Sequence, residues 1–322
     1  MTPDAILLQS FGGPEAPLDV LPFLANVVRG RPIPASRLDQ VAAQYMSVGG
    51  ASPLNSFNRI LAARIEEAFT RAAARRVPVY VGNRNWRPYL ADTLRTMVAQ
   101  AIRTVAVVTT SPYSSYSGCR QYMEDLDTAA EQVGAGVPRM IRVGPYFDQP
   151  GFLEPLADGL TAATANLEPT VPILMSAHSI PLSMAERCDY QDQLEYVSGV
   201  LAERCGVQRS RIRLVYQSRS GSPAHPWLGP DILEAIDDVA SVAETAVVVP
   251  IGFVSDHMEV LYDLDVAARA RAQSRGVRML RTPTPGSDRR FAHMIVDLVQ
   301  RTVREGPRGR WCGVGCCPAP TH

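Results

Sequence analysis

The chain has 322 residues, of which 46% are hydrophobic and 20% are charged, a composition that fits about two folded domains and excludes a disordered chain. Its 32 basic residues balance 32 acidic ones, so no overall field attracts nucleic acid or an anionic membrane surface. All 32 basic residues are Arg, which excludes mechanisms that need a Schiff-base Lys or a P-loop Lys. We expect no membrane span, because no apolar run approaches the roughly 18 residues of a membrane helix.

Short apolar runs rich in β-branched residues recur between longer segments that have helical periodicity. Runs without polar alternation are typical of strands buried on both faces of a parallel sheet. This alternation predicts an α/β fold with parallel sheets flanked by helices. An apolar stripe from Phe57 to Phe69 predicts one helix, capped at Asn55 or Ser56. The clearest predicted strands are residues 5–8, 77–81, 105–110, 171–176, 212–216 and 246–251.

Similar segments occur twice in the same order, which suggests two related halves. Residues 6–10 resemble 173–177, residues 79–88 resemble 214–230, and residues 105–113 resemble 246–252. The alternative is that buried strands resemble one another without any duplication. We predict an N-terminal half over residues 1–147, a C-terminal half over residues 148–304, and a Cys-containing tail over residues 305–322. The boundary between the halves lies in a segment rich in Pro and Gly, near residues 145–155.

Several unusual side chains directly follow these predicted strands. Ligands of open α/β sheets bind beyond the carboxyl ends of the strands, so we expect two halves to form one cleft lined by these loops. The residues concerned are Phe11, Arg84, Tyr113, His178, Arg219 and Asp256.

Two groups in the second half are candidates for proton transfer or metal binding. His178 follows a buried strand and is one of only five His; it can accept a proton near neutral pH or bind a metal, or it simply caps a turn. Glu259 and Asp263 are four residues apart on a predicted helix and share a face. They can hold a divalent cation, or they form a solvated helix face.

Two groups in the first half are candidates for binding anions. Arg29 and Arg31 can pair with ligand carboxylates, although surface charge is the more frequent role of such residues. Residues 49–54, which include Ser52, form a Gly-rich turn whose hydroxyl and backbone N–H groups can also receive an anion.

Cysteines are concentrated at the end of the chain. Of the six Cys, Cys312, Cys316 and Cys317 fall within the last eleven residues. We see no signal-peptide pattern and expect a cytoplasmic protein with reduced thiols. The terminal group therefore indicates a metal site rather than a disulfide framework; a zinc site and a redox-labile free tail are the alternatives.

Taken together, these segments resemble the ferrochelatases, enzymes that insert ferrous iron into a porphyrin. The resemblance implies two Rossmann-like, chelatase-type halves with the active-site cleft between them, and it runs from residue 5 to about residue 265. The segments that carry it are LLQSFGGP at residues 7–14, GGASPL at 49–54, GNRNWRP at 82–88, SAHSIP at 176–181, QSRSG at 217–221, WLGP at 227–230 and PIGFVSDHME at 250–259.

The sequence looks most like the actinobacterial branch of this family. The long apolar lip of membrane-associated ferrochelatases is absent around residues 21–34, and the Cys-containing tail is similar to that of relatives with a [2Fe–2S] cluster. This resemblance implies a lyase of haem biosynthesis that converts coproporphyrin III and Fe(II) to iron coproporphyrin (coproheme). A downstream enzyme of the haem pathway would be a partner. The alternatives are a protoporphyrin IX ferrochelatase and a non-catalytic porphyrin- or haem-binding protein.

The resemblance also implies roles for individual residues. His178 would face the porphyrin nitrogens, accept protons and contact the metal together with Glu259. Phe11, which stands where many relatives have a Tyr that can ligate iron, would line the substrate site. The helix that carries Glu259 and Asp263 reaches Ala267, where relatives often have a third carboxylate.

Further contacts follow from the same resemblance. Ser52 and Tyr122 match positions that contact propionates, and Arg29 and Arg31 match a basic loop nearby. The cluster would take four thiolates, and we predict Cys119, Cys312, Cys316 and Cys317. Cys188 and Cys205 stay open as the internal ligand.

Overall fold

The computed structural model of the chain describes residues 2–30, 33–73, 75–220, 225–306 and 316–319. Contacts within the chain divide it into two compact units. The first combines Met1–Ser111, Gln121–Gly144 and Phe291–Arg310, and the second combines Pro112–Arg120, Pro145–Arg290 and Trp311–His322. In the described ranges, no helix has an apolar stretch of the length needed to cross a membrane.

Each unit is built on a four-stranded parallel sheet, which confirms the predicted fold class. The strand order is β2-β1-β3-β4 in the first unit and β6-β5-β7-β8 in the second. The three pairs of similar segments therefore occupy equivalent positions in the two sheets. The strands are β1 Ala5–Ser10, β2 Val79–Asn83, β3 Thr104–Thr109, β4 Arg139–Arg142, β5 Ile173–His178, β6 Ile212–Gln217, β7 Thr245–Val249 and β8 Arg278–Arg281.

Sequence patterns predict six of these strands and miss β4 and β8. Both missed strands lie at sheet edges, and each has two apolar residues between two Arg. Neither strand is buried along its length, since only Met279 in β8 is fully buried, and neither has a continuous apolar run. Four residues are also too few to establish a period.

Helices separate the strands. Between α10 and α11 the helix widens to a π-helical stretch, Leu261–Ala268, and another π-helical turn spans Tyr116–Arg120. The helices are α1 Val20–Val27, α2 Ala35–Ser47, α3 Leu54–Ala73, α4 Leu90–Ala99, α5 Gln121–Val133, α6 Pro150–Thr164, α7 Leu182–Ala185, α8 Tyr190–Arg204, α9 Ile232–Ala240, α10 Met258–Val260, α11 Arg269–Ser274 and α12 Arg289–Glu305.

The predicted cap of α3 is wrong. The helix begins at Leu54, whose N–H donates to the Ser52 hydroxyl at 3.4 Å. The side chain of Asn55 instead donates to the carbonyl oxygens of Gly13 and Arg87 at 3.0 and 3.2 Å. Asn55 therefore joins loops of the first unit, because a side chain inside the first turn is free to bond elsewhere.

The core of each unit lies between its sheet and the helices that cover it. In the first unit, Leu7 and Val107 pack against Leu94 of α4 and Leu126 of α5. In the second unit, Val215 and Val248 pack against Ile236 of α9 and against Leu264 of the π-helical stretch. The π-helical stretch is therefore anchored to the sheet by its apolar side, which leaves its polar side for other contacts.

Candidate active site

His178 is the last residue of β5, and its imidazole is held in one orientation. Its Nδ1 lies 2.5 Å from the carbonyl oxygen of Ser179, and because a carbonyl only accepts, Nδ1 carries the proton. The hydroxyl of Tyr190 donates to the carbonyl oxygen of His178 at 3.0 Å. In the neutral ring, Nε2 therefore has a free lone pair, which can accept a proton or bind a metal.

Glu259 stands beside this nitrogen. Its Oε2 lies 3.6 Å from Nε2 of His178, and the two side chains are 47% and 32% exposed. Burial by surrounding protein atoms opposes protonation of His178, but the Glu259 carboxylate and the Ser179 carbonyl raise the pKa of His178. Burial likewise opposes ionisation of Glu259, but the charge of His178 and its hydrogen bond lower the pKa of Glu259 to about 2. The two groups thus favour an imidazolium–carboxylate pair.

The loop after β7 positions Glu259. A Cβ on Gly252 would lie 2.6 Å from the Cα of Ala177, so only glycine lets this loop approach the end of β5. His257 caps α10, because its Nδ1 accepts the N–H of Glu259 at 3.2 Å. The Gln217 amide at the end of β6 donates to the Glu259 carbonyl at 3.2 Å. Three strand ends therefore fix the backbone around Glu259.

Asp263 lies on the π-helical stretch and faces the loop after β6. The Ser218 hydroxyl donates a short hydrogen bond to its Oδ2. Burial raises the pKa of Asp263 to about 6; Ser218 opposes this, and the Glu259 carboxylate adds to it. Asp263 can therefore take up and release a proton close to neutral pH.

Asp263 also makes stability depend on pH. Its folded pKa of about 6 lies above the usual 3.8, so the free energy of unfolding decreases as the pH rises through this interval. We expect Asp263→Asn to raise the free energy of unfolding by about 1–2 kcal/mol at pH 7.5 and by much less at pH 4.5. Urea unfolding at both pH values measures this. An equal effect at the two pH values would contradict the buried-carboxylate interpretation.

The predicted substrate-contacting residues of the first unit lie on several loops and helices. Phe11 follows β1, stacks edge-on against Phe23 and has the guanidinium of Arg84 5.9 Å from its ring centre. Arg29 follows α1 and donates a short hydrogen bond to the Asn26 side chain. Arg31 lies outside the described residues.

Ser52 and Tyr122 are both largely buried in the first unit. Ser52 is 7% exposed, and its N–H donates to the carbonyl of Pro14 at 2.8 Å. A Cβ on Gly13 would lie 2.7 Å from the Ser52 Cβ, so this glycine permits the close approach. Tyr122 is 6% exposed, and its carbonyl accepts from the Gln9 amide at 2.7 Å. The two residues are held by separate hydrogen bonds to their backbones.

Three thiols of the second unit contact one another. The buried Cys317 side chain hydrogen-bonds those of Cys119 and Cys188, and Cys316 adjoins it and lines the same cavity of about 560 Å³ with Cys188. Cys205 bonds elsewhere, donating to the Ala157 carbonyl at 3.4 Å. Cys312 lies outside the described residues.

Within the described ranges, no three His, Cys, Asp or Glu side chains are arranged to hold one metal ion. A [2Fe–2S] cluster needs only two thiolates at each iron, and four described thiols lie in this region.

Sequence patterns do not predict Ser218, and they leave Cys188 only as an alternative ligand. Ser218 has a φ of +62°, which turns its hydroxyl to Asp263, whereas the predicted loop residue Arg219 donates to the Leu228 carbonyl at 3.4 Å. A polar residue after the second strand of a half is the signal that could have identified Ser218. Cys188 has no neighbouring Cys in the sequence, so only the fold reveals its contact with Cys317.

Known proteins resemble this chain over nearly its whole length. A Coproporphyrin III ferrochelatase from Frankia alni is 47% identical over 98% of this chain and 87% of that protein. A Ferrochelatase from Rhodopirellula baltica is 44% identical over 98% of this chain and 93% of that protein. A structure of SirB from Bacillus subtilis with Fe3+ covers 97% of this chain and 99% of that chain at 14% identity, with a TM-score of 0.60, which shows the fold alone.

The family assignment comes from the sequence. The family model described as Ferrochelatase matches residues 3–303, which include every ferrochelatase-like motif between residue 7 and residue 259. The matched range contains both sheets and the His178–Glu259 pair. The chain therefore belongs to the ferrochelatase family of lyases.

Proposed function

We propose that this chain inserts Fe(II) into coproporphyrin III, with His178 as the proton acceptor. The observation that carries the proposal is the locked imidazole: Nδ1–H is committed to the Ser179 carbonyl at 2.5 Å, so the neutral ring offers only Nε2. Metallation replaces two pyrrole protons by one Fe(II), and each proton needs an acceptor. A base with a pKa near the working pH serves this purpose best.

Glu259 is proposed to stabilise charge rather than to store protons. At 3.6 Å from Nε2 of His178, its carboxylate favours the imidazolium that forms when a pyrrole proton is accepted. A carboxyl group with a pKa of about 2 stays ionised, so it can also attract Fe(II) and bind it through oxygen.

Asp263 is proposed to carry protons away from the site. Its pKa of about 6 allows a proton to bind and leave near neutral pH, unlike that of Glu259. Four residues separate it from Glu259 along the helix, which places the two on one face. A proton released by His178 would then leave towards Asp263, so that His178 can accept the second one.

The choice of porphyrin is supported by the relatives and by the side chains available. Coproporphyrin III bears four propionates, and Arg is the only strongly basic residue type in this chain. Arg groups bind carboxylates well, and we propose that Arg29 and Arg31 do so, with Ser52 and Tyr122 as further propionate contacts. Phe11 would contact the macrocycle.

Initial rates of Fe(II) insertion into coproporphyrin III and protoporphyrin IX, measured anaerobically on the same preparation, test this proposal. We expect faster turnover of coproporphyrin III. Faster turnover of protoporphyrin IX would mean that the proposed substrate is wrong but that the proposed reaction, iron insertion, still holds. Binding of either porphyrin without metallation would favour a carrier function and overturn the proposal.

We also propose that the thiols bind a [2Fe–2S] cluster. The sequence-based ligand set is Cys119, Cys312, Cys316 and Cys317, and the contact of Cys317 with Cys188 makes Cys188 a specific competitor for one position. Such a cluster would add redox-active iron at these cysteines. The chain's own contribution is to bring thiols from separate segments together.

Visible absorbance, together with iron and sulfide content, tests the cluster after anaerobic purification. We expect Cys317→Ser to abolish the absorbance and Cys205→Ser, the matched control, to preserve it. Comparison of Cys188→Ser with Cys312→Ser then identifies the remaining ligand. Colourless wild-type protein without bound iron or sulfide would contradict the cluster and leave the metallation proposal unaffected.

A further inference from the structure

Arg281 is a largely buried cation beside the candidate active site. It is the last residue of β8, one of the two strands that sequence patterns miss, and its side chain is only 14% exposed. Two carboxylates, Asp256 and Asp265, surround its guanidinium. Both belong to the segment that also carries Glu259 and Asp263.

All five N–H groups of Arg281 are used. Nε and Nη2 donate to the two carboxylate oxygens of Asp265 at 2.8 and 2.9 Å. Nη1 and Nη2 donate to the two oxygens of Asp256 at 3.2 and 3.1 Å. Through its second N–H, Nη1 also donates to the Thr282 carbonyl at 3.2 Å. Since a guanidinium has five donors in one plane, its orientation is fully determined.

These bonds hold both ends of the segment from Asp256 to Asp265, which carries Glu259 and Asp263. Asp256 comes immediately before His257, which caps the helix at Glu259, and Asp265 comes two residues after Asp263 on the π-helical stretch. The π-helical geometry is rare and needs support from outside the helix. Two bidentate pairs to one guanidinium provide such support, because they restrict both position and rotation.

We infer that Arg281 is a positioning residue for metal handling: through Asp256 and Asp265 it sets the placement of the Glu259 carboxylate, which attracts Fe(II), and of the Asp263 carboxylate, which carries protons away. The inference rests on the roles proposed above for these two carboxylates. Arg281 itself contacts neither of them in the described structure. Substitution of Arg281 should therefore change the KM for Fe(II) rather than the KM for porphyrin.

The test is steady-state kinetics of Arg281→Lys with Fe(II) and porphyrin varied separately. A lysine has three donors at one point and cannot bind two carboxylates bidentately. We expect the KM for Fe(II) to rise about tenfold, within the usual range for residues that orient metal ligands. The KM for porphyrin should stay within about twofold. Thermal unfolding of the same variant reports any loss of folding.

Two further variants make the test decisive. Arg269→Lys is the matched control, because Arg269 also contacts Asp265, at 3.5 Å, but from the exposed side; its KM values should not change. Asp265→Asn removes one of the two carboxylates that bind Arg281. Like Arg281→Lys, it should raise the KM for Fe(II). It also serves if Arg281→Lys does not fold.

The outcomes separate this inference from the proposed function. Unchanged kinetics of Arg281→Lys and Asp265→Asn, or an equal rise of both KM values, would overturn the positioning role. Glu259→Gln is assayed alongside them. If that variant inserts iron normally, the proposed role of Glu259 fails, whatever Arg281 does.

Discussion

Replacing His178 with alanine should reduce the rate of iron insertion by about 10²–10⁴-fold, the usual contribution of a positioned base. The structure explains why neither His257 nor Glu259 can replace it. Nδ1 of His257 accepts the N–H of Glu259, so that ring is committed to capping the helix. Glu259, with a pKa of about 2, is too weak a base. The rate is measured anaerobically with saturating Fe(II) and coproporphyrin III.

The matched control for His178→Ala is His293→Ala, since His293 is exposed on α12. It should insert iron at the wild-type rate. Porphyrin binding, followed by quenching of protein fluorescence, should persist in His178→Ala, because the expected loss concerns proton acceptance. Insertion by His178→Ala at more than a tenth of the wild-type rate would contradict the assignment of the base.

Glu259→Gln should lower kcat by roughly 10²–10³-fold. This is the usual effect of removing a preorganised group that stabilises charge developing during the reaction. Glutamine keeps the size and one oxygen of Glu259, so packing against the end of β5 is preserved. What disappears is the negative charge 3.6 Å from Nε2 of His178. Removing that charge makes protonation of the imidazole less favourable.

Glu203→Gln is the matched control, because Glu203 lies exposed on α8 of the same unit. Its rate should equal that of the wild type. If Glu259→Gln retains full kcat while its KM for Fe(II) rises, Glu259 acts only in metal binding, and charge stabilisation of His178 is contradicted.

Sequence patterns predict the central strands and the loops at their carboxyl ends well. His178 is correctly expected at the carboxyl end of one strand and Glu259 on a helix that follows another strand, and the ends of parallel strands meet at one edge of a sheet. The 3.6 Å contact between them depends on the approach of Gly252 to Ala177 at the end of β5. The motif contains that glycine, but the close contact is visible only once both strands are paired.

Contacts made by edge strands are harder to predict. Arg281 looks like surface charge at the end of a four-residue strand without apolar periodicity, yet it binds both Asp256 and Asp265. Those carboxylates, read alone, resemble a solvated helix face. Their pairing depends on β8 lying beside β7, which no local pattern in these residues indicates.

The neighbouring cysteines show the same limit of prediction from local sequence patterns. The spacing of Cys316 and Cys317 is a local signal, and Cys119 follows from resemblance to relatives. Cys188 has no such signal, since it lies just after the short helix α7 and its Sγ donates to the Met184 carbonyl at 3.2 Å. Its contact with Cys317 joins residues more than a hundred positions apart, which only tertiary structure reveals.

The pH dependence of kcat/KM for coproporphyrin III tests the central claim, that neutral His178 accepts the pyrrole proton, most directly. Because Glu259 raises the pKa of His178 above its usual 6.5, activity should fall as the pH decreases through an apparent pKa above 6.5. This acid limb should persist in Asp263→Asn and shift to lower pH in the residual activity of Glu259→Gln. A flat profile, or an acid limb at the same pH in Glu259→Gln as in the wild type, would contradict the claim.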